Sequence, residues 1–418
     1  MKKVFFLLVI TVSFSLTAQN SEETYKEIDS LILVGRYQKA LSQLDKVEDS
    51  FDKFKTIASI YYQVDKTKQS VVYYEKALKE KEDYKTQIQL GKAYQKLRNH
   101  KKAIEIYEQL LEKDPYNLLI KYQVGKLYLT QRKANKAIKT FEELIAVDKT
   151  NPNYAYQKGV AYAMKKKRDD MINSFLEAYK TDSTHIKSLY QLANSYYKLQ
   201  DTDSTYLFLK KGLDLEPNHI NMNRLMVNHT YREKQYDVTL QVLEKLDSLT
   251  PNELFVTNMF GRTYYNKEEH EKAKEYFEKS KDIDRTDFKI FTYLGHTEMK
   301  LKNYQKAKFN YMMATYIGVT KRDEEYYGIG HANLKLKKPL EAMNMFDKAY
   351  KENRGNHLAL YQLAKTTDDY YKEKKKAYKL YDQYVLQFEN MDKDFTAYAK
   401  RRMQEIKKEY FLKGEKLE

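Results

Sequence analysis

Eight histidines, 59 acidic side chains and no cysteine are the material for acid–base, metal or nucleophilic chemistry in this chain of 418 residues. None of them falls into a spacing that would perform it. His270-Glu271 opens like the helical zinc motif H-E-x-x-H, but Lys274 stands where the second imidazole is needed. Gly328-Ile329-Gly330 lacks a third glycine and sits inside a helical hydrophobic pattern, so it is read as packing. There is no G-x-x-x-x-G-K-[ST] and no G-x-S-x-G. His296 and His331 occupy equivalent places and would face one another, yet two imidazoles without a carboxylate make a poor metal site. No catalytic residue, metal ligand or cofactor is expected. Binding chemistry is better represented. Tyr190, Asn194 and Tyr197 are followed at the same offsets by Arg224, Asn228 and Tyr231, then by Asn258, Arg262 and Tyr265. Tyrosine and arginine join flat apolar area to hydrogen-bonding ends, and asparagine can both donate to and accept from an extended backbone.

The elements that must position these residues repeat. Gly91, Gly125, Gly159, Ala193, Val227, Gly261 and Gly295 are each 34 residues apart. Twelve residues after each stands a second column: Ala103, Ala137, Met171, Thr205, Thr239, Ala273 and Ala307. Sixteen after each stands a third of large apolar side chains: Tyr107, Phe141, Phe175, Leu209, Leu243, Phe277 and Tyr311. A fixed period of this length marks a stack of supersecondary units, none of which buries its apolar face alone. Each period divides into two segments with apolar residues at spacings of three and four, as amphipathic helices require. The small residue of the first helix is expected to face the alanine of the second, letting the axes approach to roughly 8 Å. Of five prolines, Pro115, Pro217 and Pro251 fall at period ends, and Pro152 and Pro339 fall where helices should start.

This pattern resembles the tetratricopeptide repeat family, whose order of small residue, aromatic, alanine, aromatic and proline appears as Gly91, Tyr94, Ala103, Tyr107 and Pro115. Later units follow at Gly125, Gly159, Ala193, Gly261, Gly295 and, one residue late, Gly330. About eleven units cover most of residues 21–390. The unit at Val227 departs most, with Thr230 and Thr239 where tyrosine and alanine are usual. The last unit carries an extra residue between its helices, since Ala377 and Tyr381 fall one place late. The resemblance implies an all-α, right-handed solenoid of about eleven helix pairs. It further implies that the first helices line a concave groove, with ligand contacts from fixed places. Those places hold Tyr190, Asn194, Tyr197, Arg224, Asn228, Tyr231, Asn258, Arg262, Tyr265, His296, Tyr327 and His331. In the doublets Tyr196-Tyr197 and Tyr264-Tyr265 the first ring should enter the helix pair and the second, about 100° around, the groove. One subfamily clamps a partner's terminal carboxylate; Arg224, Asn228 and Lys289 resemble part of its pattern, but Met259 and Tyr293 replace the rest, so that ligand is not carried over.

The chain begins with Lys2 and Lys3, then an apolar run from Val4 to Leu16 and small polar residues. This is a secretory leader pattern, too short to span a bilayer with ease, and it sets an expected division into a signal peptide (1–19), a repeat domain (20–390) and a capping helix with tail (391–418). Solenoids need such an end helix to close the last apolar face. Without cysteine there is neither a disulfide nor a lipoprotein anchor. The residue usage resembles exported proteins of Bacteroidota, and a periplasmic, outer-membrane-associated or secreted location follows. The net charge of +16 is mostly lysine, and with an export signal it does not suggest nucleic acid. The expected role is a non-enzymatic scaffold of the cell envelope that holds an extended, acidic-leaning segment of a protein partner. Glycan capture on the tyrosine faces is the rival, and no membrane span is expected in the mature chain.

Overall fold

The computed structural model describes residues 24–318 and 321–417; the leader expected over residues 1–19 lies outside the described residues. Among the described residues the chain forms eleven helical hairpins and a final helix, with no strand. It divides into two compact units, Met1–Ser195 and Tyr196–Glu418, each a run of hairpins packed on their neighbours in sequence. No described helix is long and apolar enough to cross a membrane.

The hairpin Leu118–Thr130 and Ala134–Val147 shows how the sequence makes one unit. The Asn117 side chain accepts from the Ile120 N–H and so satisfies one of the free donors at the helix start. At the other end Arg132 adopts φ 56°, which lets the Lys133 N–H reach back to the Tyr128 carbonyl. The same left-handed turn recurs at Arg98, Lys166, Gln200, Lys234, Glu268 and Lys302, which with Arg132 form a series at steps of 34 residues. Glycine would fit there without strain, yet long polar side chains occupy all of these positions. Pro152 and Pro339 sit in the first turns of their helices, where a missing N–H costs little.

Inside each hairpin the glycine column meets a ring. A Cβ on Gly125 would lie 2.8 Å from the Phe141 ring, and one on Gly295 would lie 2.6 Å from Tyr311. The glycine makes room for the large side chain sixteen residues on, which comes nearer to it than any other group. Ala137 and Ala307 are nonetheless fully buried, as the small second column requires. Gly328 also receives the Tyr311 ring, from the hairpin before it, which confirms packing as its task. In the divergent unit the Thr239 hydroxyl donates to the Thr230 hydroxyl at 2.9 Å, so two buried polar groups satisfy each other.

The last hairpin, His357–Tyr370 and Lys375–Phe388, has its additional residue in the loop 371–374. Against it lies the final helix Lys393–Lys413, capped by Asp392 accepting from the Phe395 N–H. Ile406 and Tyr410 of this helix are buried, and the Tyr410 hydroxyl accepts from the Lys374 N–H at 3.1 Å. Arg402 donates twice to buried Asp368, from Nε at 2.7 Å and Nη2 at 3.1 Å. Burial would raise the Asp368 carboxyl, but hydrogen bonds from Arg402 and Lys374 outweigh it and hold the group below its ordinary range.

Gly295→Ala should destabilise the chain by about 1–3 kcal/mol through overpacking against Tyr311, read by urea unfolding followed by circular dichroism. A carboxylate that ionises more readily folded than unfolded stabilises above its unfolded pKa and loses that contribution as pH falls through its folded pKa. Asp368→Asn should therefore cost about 3 kcal/mol at neutral pH, with the difference from wild type shrinking below the ordinary carboxylate range.

Candidate functional site

In the second unit, successive first helices present strips at i, i+3, i+4 and i+7, the spacing that keeps residues on one helical face. Phe255, Asn258, Met259 and Arg262 form one strip, on Leu254–Asn266. Lys289, Thr292, Tyr293 and His296 form the next, on Phe288–Lys300. With Asn228 on one side and Asp323, Glu324 and Glu325 on the other, they enclose a cavity of about 720 Å³. Buried Glu325 accepts from the Thr292 hydroxyl at 2.7 Å, tying the third strip to the second.

Arg262 is the centre of this cavity's chemistry. Its guanidinium carbon lies 4.9 Å from the centroid of the Tyr231 ring and 5.5 Å from that of Tyr293. Such contacts hold a cation by the negative faces of the rings. Nη1 is 3.6 Å from the Met259 sulfur, Nε is buried without a hydrogen-bond partner, and Arg262 has no carboxylate partner among the described residues. Tyr231 is in turn fixed by Asn266, whose Nδ2 donates to its hydroxyl at 2.7 Å. Arg224 is employed differently. It pairs with Glu253 and stands over the Phe255 ring at 5.9 Å, so its charge is already met. Arg232 is also committed, donating to the Tyr197 carbonyl at 2.9 Å and lying 4.1 Å over that ring.

A second cavity of about 430 Å³ is lined by Tyr265, His296, Tyr311, Tyr327 and His331, with Asp323 and Glu324. His296 sits between two partners, with Nδ1 2.7 Å from the Tyr311 hydroxyl and Nε2 2.9 Å from Glu324. Burial pushes the Tyr311 phenol up, so it remains a donor, and Glu324 is acceptor-only when ionised. The neutral ring that suits both carries its proton on Nε2. The hydrogen bond from His296, against burial, holds the Glu324 carboxyl below its ordinary range. His331 packs edge-on to Tyr327 at 4.5 Å and to Phe346 at 5.3 Å. Burial, and then Lys335, push its pKa down. The two histidines thus share a cavity but hold different neighbours, and no described cluster of three metal-ligating residues exists.

The structure places Asn228, Asn258, Arg262 and His296 on the first cavity, and Tyr265, His296, Tyr327 and His331 on the second. Tyr231 underlies Arg262, Tyr197 underlies Arg232, and Arg224 is held by Glu253. Tyr190 and Asn194 are half-buried residues of the first unit. The doublets divide as their angular spacing requires: Tyr196 stacks on Phe208 and Tyr264 on Tyr276 inside their hairpins. Sequence reasoning singles out Lys289 and Tyr293 only in weighing a carboxylate clamp and not as groove residues, and it misses Glu253. The first two carry a signal, since they continue the helical strip that contains His296. Glu253 carries none, because it precedes the helix after Arg224 and meets it only through packing.

Family models described as tetratricopeptide repeat match residues 95–158 and, separately, residues 56–84, 186–219 and 258–287. No curated relative matches the chain. Among solved structures, MamA from residue 41 to its end, from Desulfovibrio magneticus RS-1, is 18% identical over 41% of this chain and 98% of its own, with a TM-score of 0.38. The APC/C hetero-tetramer Cut9-Hcn1 is 14% identical over 82% of this chain and 83% of its own, at 0.43. Yeast Tom70 is 14% identical over 94% and 97%, at 0.42. At these scores the superpositions carry over no detail of a site.

A histidine whose folded pKa is depressed costs stability as pH falls below its unfolded value, because the unfolded chain takes the proton first. The His331 ring protons should accordingly titrate with a midpoint below 6.5 by NMR, and His331→Phe should flatten the part of the acid-side stability loss that this ring contributes.

Proposed function

We propose that this tetratricopeptide-repeat protein is a non-enzymatic scaffold that holds an extended, acidic segment of a protein partner in the cavities of its second unit. The observation that carries this reading is Arg262, held between Tyr231 and Tyr293 with no carboxylate of its own. A part-buried guanidinium with no carboxylate partner is matched by a carboxylate, and charge-assisted hydrogen bonds of that kind are the strong ones. The amides of Asn228 and Asn258 line the same cavity and can bond an extended backbone at its N–H and C=O groups. The helices that carry them are already packed, so binding requires little rearrangement on this side while the segment loses chain entropy. The leader pattern over residues 1–19 supports a cell-envelope location for the scaffold.

The test is capture from crosslinked envelope fractions, with the mature chain run beside Arg262→Glu. The variant is first checked for unchanged helicity. A protein retained by wild type and reduced roughly tenfold or more in the variant, about 1.4 kcal/mol, is the expected result, and moderate salt should weaken it. Equal capture by both would remove the cavity as the binding site. Recovery of polysaccharide without protein would replace the peptide by a glycan.

A further inference from the structure

The lengthened loop 371–374 and the end of the final helix come together at one place in the second unit, where the Tyr410 hydroxyl accepts from the Lys374 N–H and Lys407 lies 5.6 Å over the Tyr378 ring. That end exposes apolar side chains which the fold does not use. Phe411 is 83% and Leu412 73% accessible, side by side in the last turn before Gly414 ends the helix at φ 65°. In the last hairpin Tyr370, which ends its first helix, and Tyr371, which opens the loop, are partly in solvent and packed edge-on to each other at 4.8 Å. Lysine surrounds both. Lys407, Lys408 and Lys413 are exposed on the last turns of the helix. A cavity of about 460 Å³ beside Tyr371 is lined by Lys375, Lys376 and Lys379, with Glu373 as its one carboxylate.

Cations near a helix C-terminus complement its dipole, which would account for Lys407 and Lys408 alone. It does not account for an exposed phenylalanine and leucine at the tip, nor for two part-exposed tyrosines and three more lysines in the last hairpin. We propose that this end of the molecule docks on an anionic phospholipid surface. Phe411 and Leu412 enter the headgroup–acyl boundary, the tyrosines sit at headgroup level, and the lysines meet lipid phosphates. The residue types are those that interfaces select: apolar residues to insert, tyrosine at the boundary and lysine on the charged side. The buried face of the helix, with Ile406 and Tyr410, is already taken by the fold, so docking is by the tip and not along the helix. The charge excludes a neutral surface as the preferred one, and the protruding pair fits a deformable lipid layer better than a rigid acidic protein.

The chain contains no tryptophan, so Phe411→Trp in the full-length protein is a probe of the tip without background. Its emission should shift to the blue, and be quenched by brominated acyl chains, on adding phosphatidylcholine vesicles containing one quarter phosphatidylglycerol. Neutral phosphatidylcholine vesicles should give neither change. Adding Lys407→Glu and Lys408→Glu to the probe should abolish the shift, whereas an equal charge change at exposed Lys139 and Lys149 should preserve it. An unchanged emission overturns the proposal, whether the protein sediments with the vesicles through another surface or fails to bind them. So does a shift that is equal on neutral vesicles or insensitive to the tip lysines.

Discussion

The contact on which the rest of this structure depends is that between a glycine in the first helix of a hairpin and the ring sixteen residues later. At Gly91, Gly125, Gly159, Gly261, Gly295 and Gly330 an added Cβ would fall within 3.0 Å of a Tyr or Phe ring. The two axes can approach only because that atom is missing, and the ring then fills the space that two ordinary helices would leave between them. With one face of the first helix consumed in this way, another face is left to line the cavities. The strips at i, i+3, i+4 and i+7 that line the cavities are that remaining face. Adjacent units thus carry different cavity-lining residues, Asn258 and Arg262 or Thr292 and His296, on the same scaffold.

Where the sequence strays from this rule, the compensation is local. Val227 replaces glycine, and the position of the usual ring holds Leu243, a smaller aliphatic side chain that leaves room for the extra atoms; both are fully buried. Thr230 and Thr239 would be isolated polar groups in an apolar contact, but the Thr230 hydroxyl donates to the Met226 carbonyl and accepts from Thr239, whose one proton is shared between Thr230 and the Gln235 carbonyl. The left-handed turn residues show a different tolerance. Lys and Arg accept positive φ there because the carbonyls of the preceding helix gain donors from the turn, a local saving that partly offsets the strain of an L side chain.

Electrostatics divides the arginines of the second unit by task. Arg224 and Arg402 each have an acidic partner, Glu253 and Asp368, and their charges hold hairpins and the final helix in place. Arg262 is held by two rings and the Met259 sulfur, with no carboxylate. A ring face positions a guanidinium without neutralising it, which is why the same residue type is structural in one place and available to a ligand in the other. His296, between the Tyr311 phenol and Glu324, joins the two cavities to the packing column, so the hydrogen bonds of the site and the ring under Gly295 are parts of one arrangement.

Period, helix pairing, turn positions and the extra residue in the last hairpin were all legible in the chain, because each is a local or nearest-neighbour property that recurs every 34 residues. The recurrence also brought out the face on which Asn228, Asn258, Arg262 and His296 stand. What tertiary structure alone decided was the partner of each side chain: the ring against each glycine, Glu253 beside Arg224, and two tyrosine faces at Arg262. Those pairings cross from one hairpin to another or depend on rotamers, and a residue's type and place in a repeat specify its direction but not what it meets there.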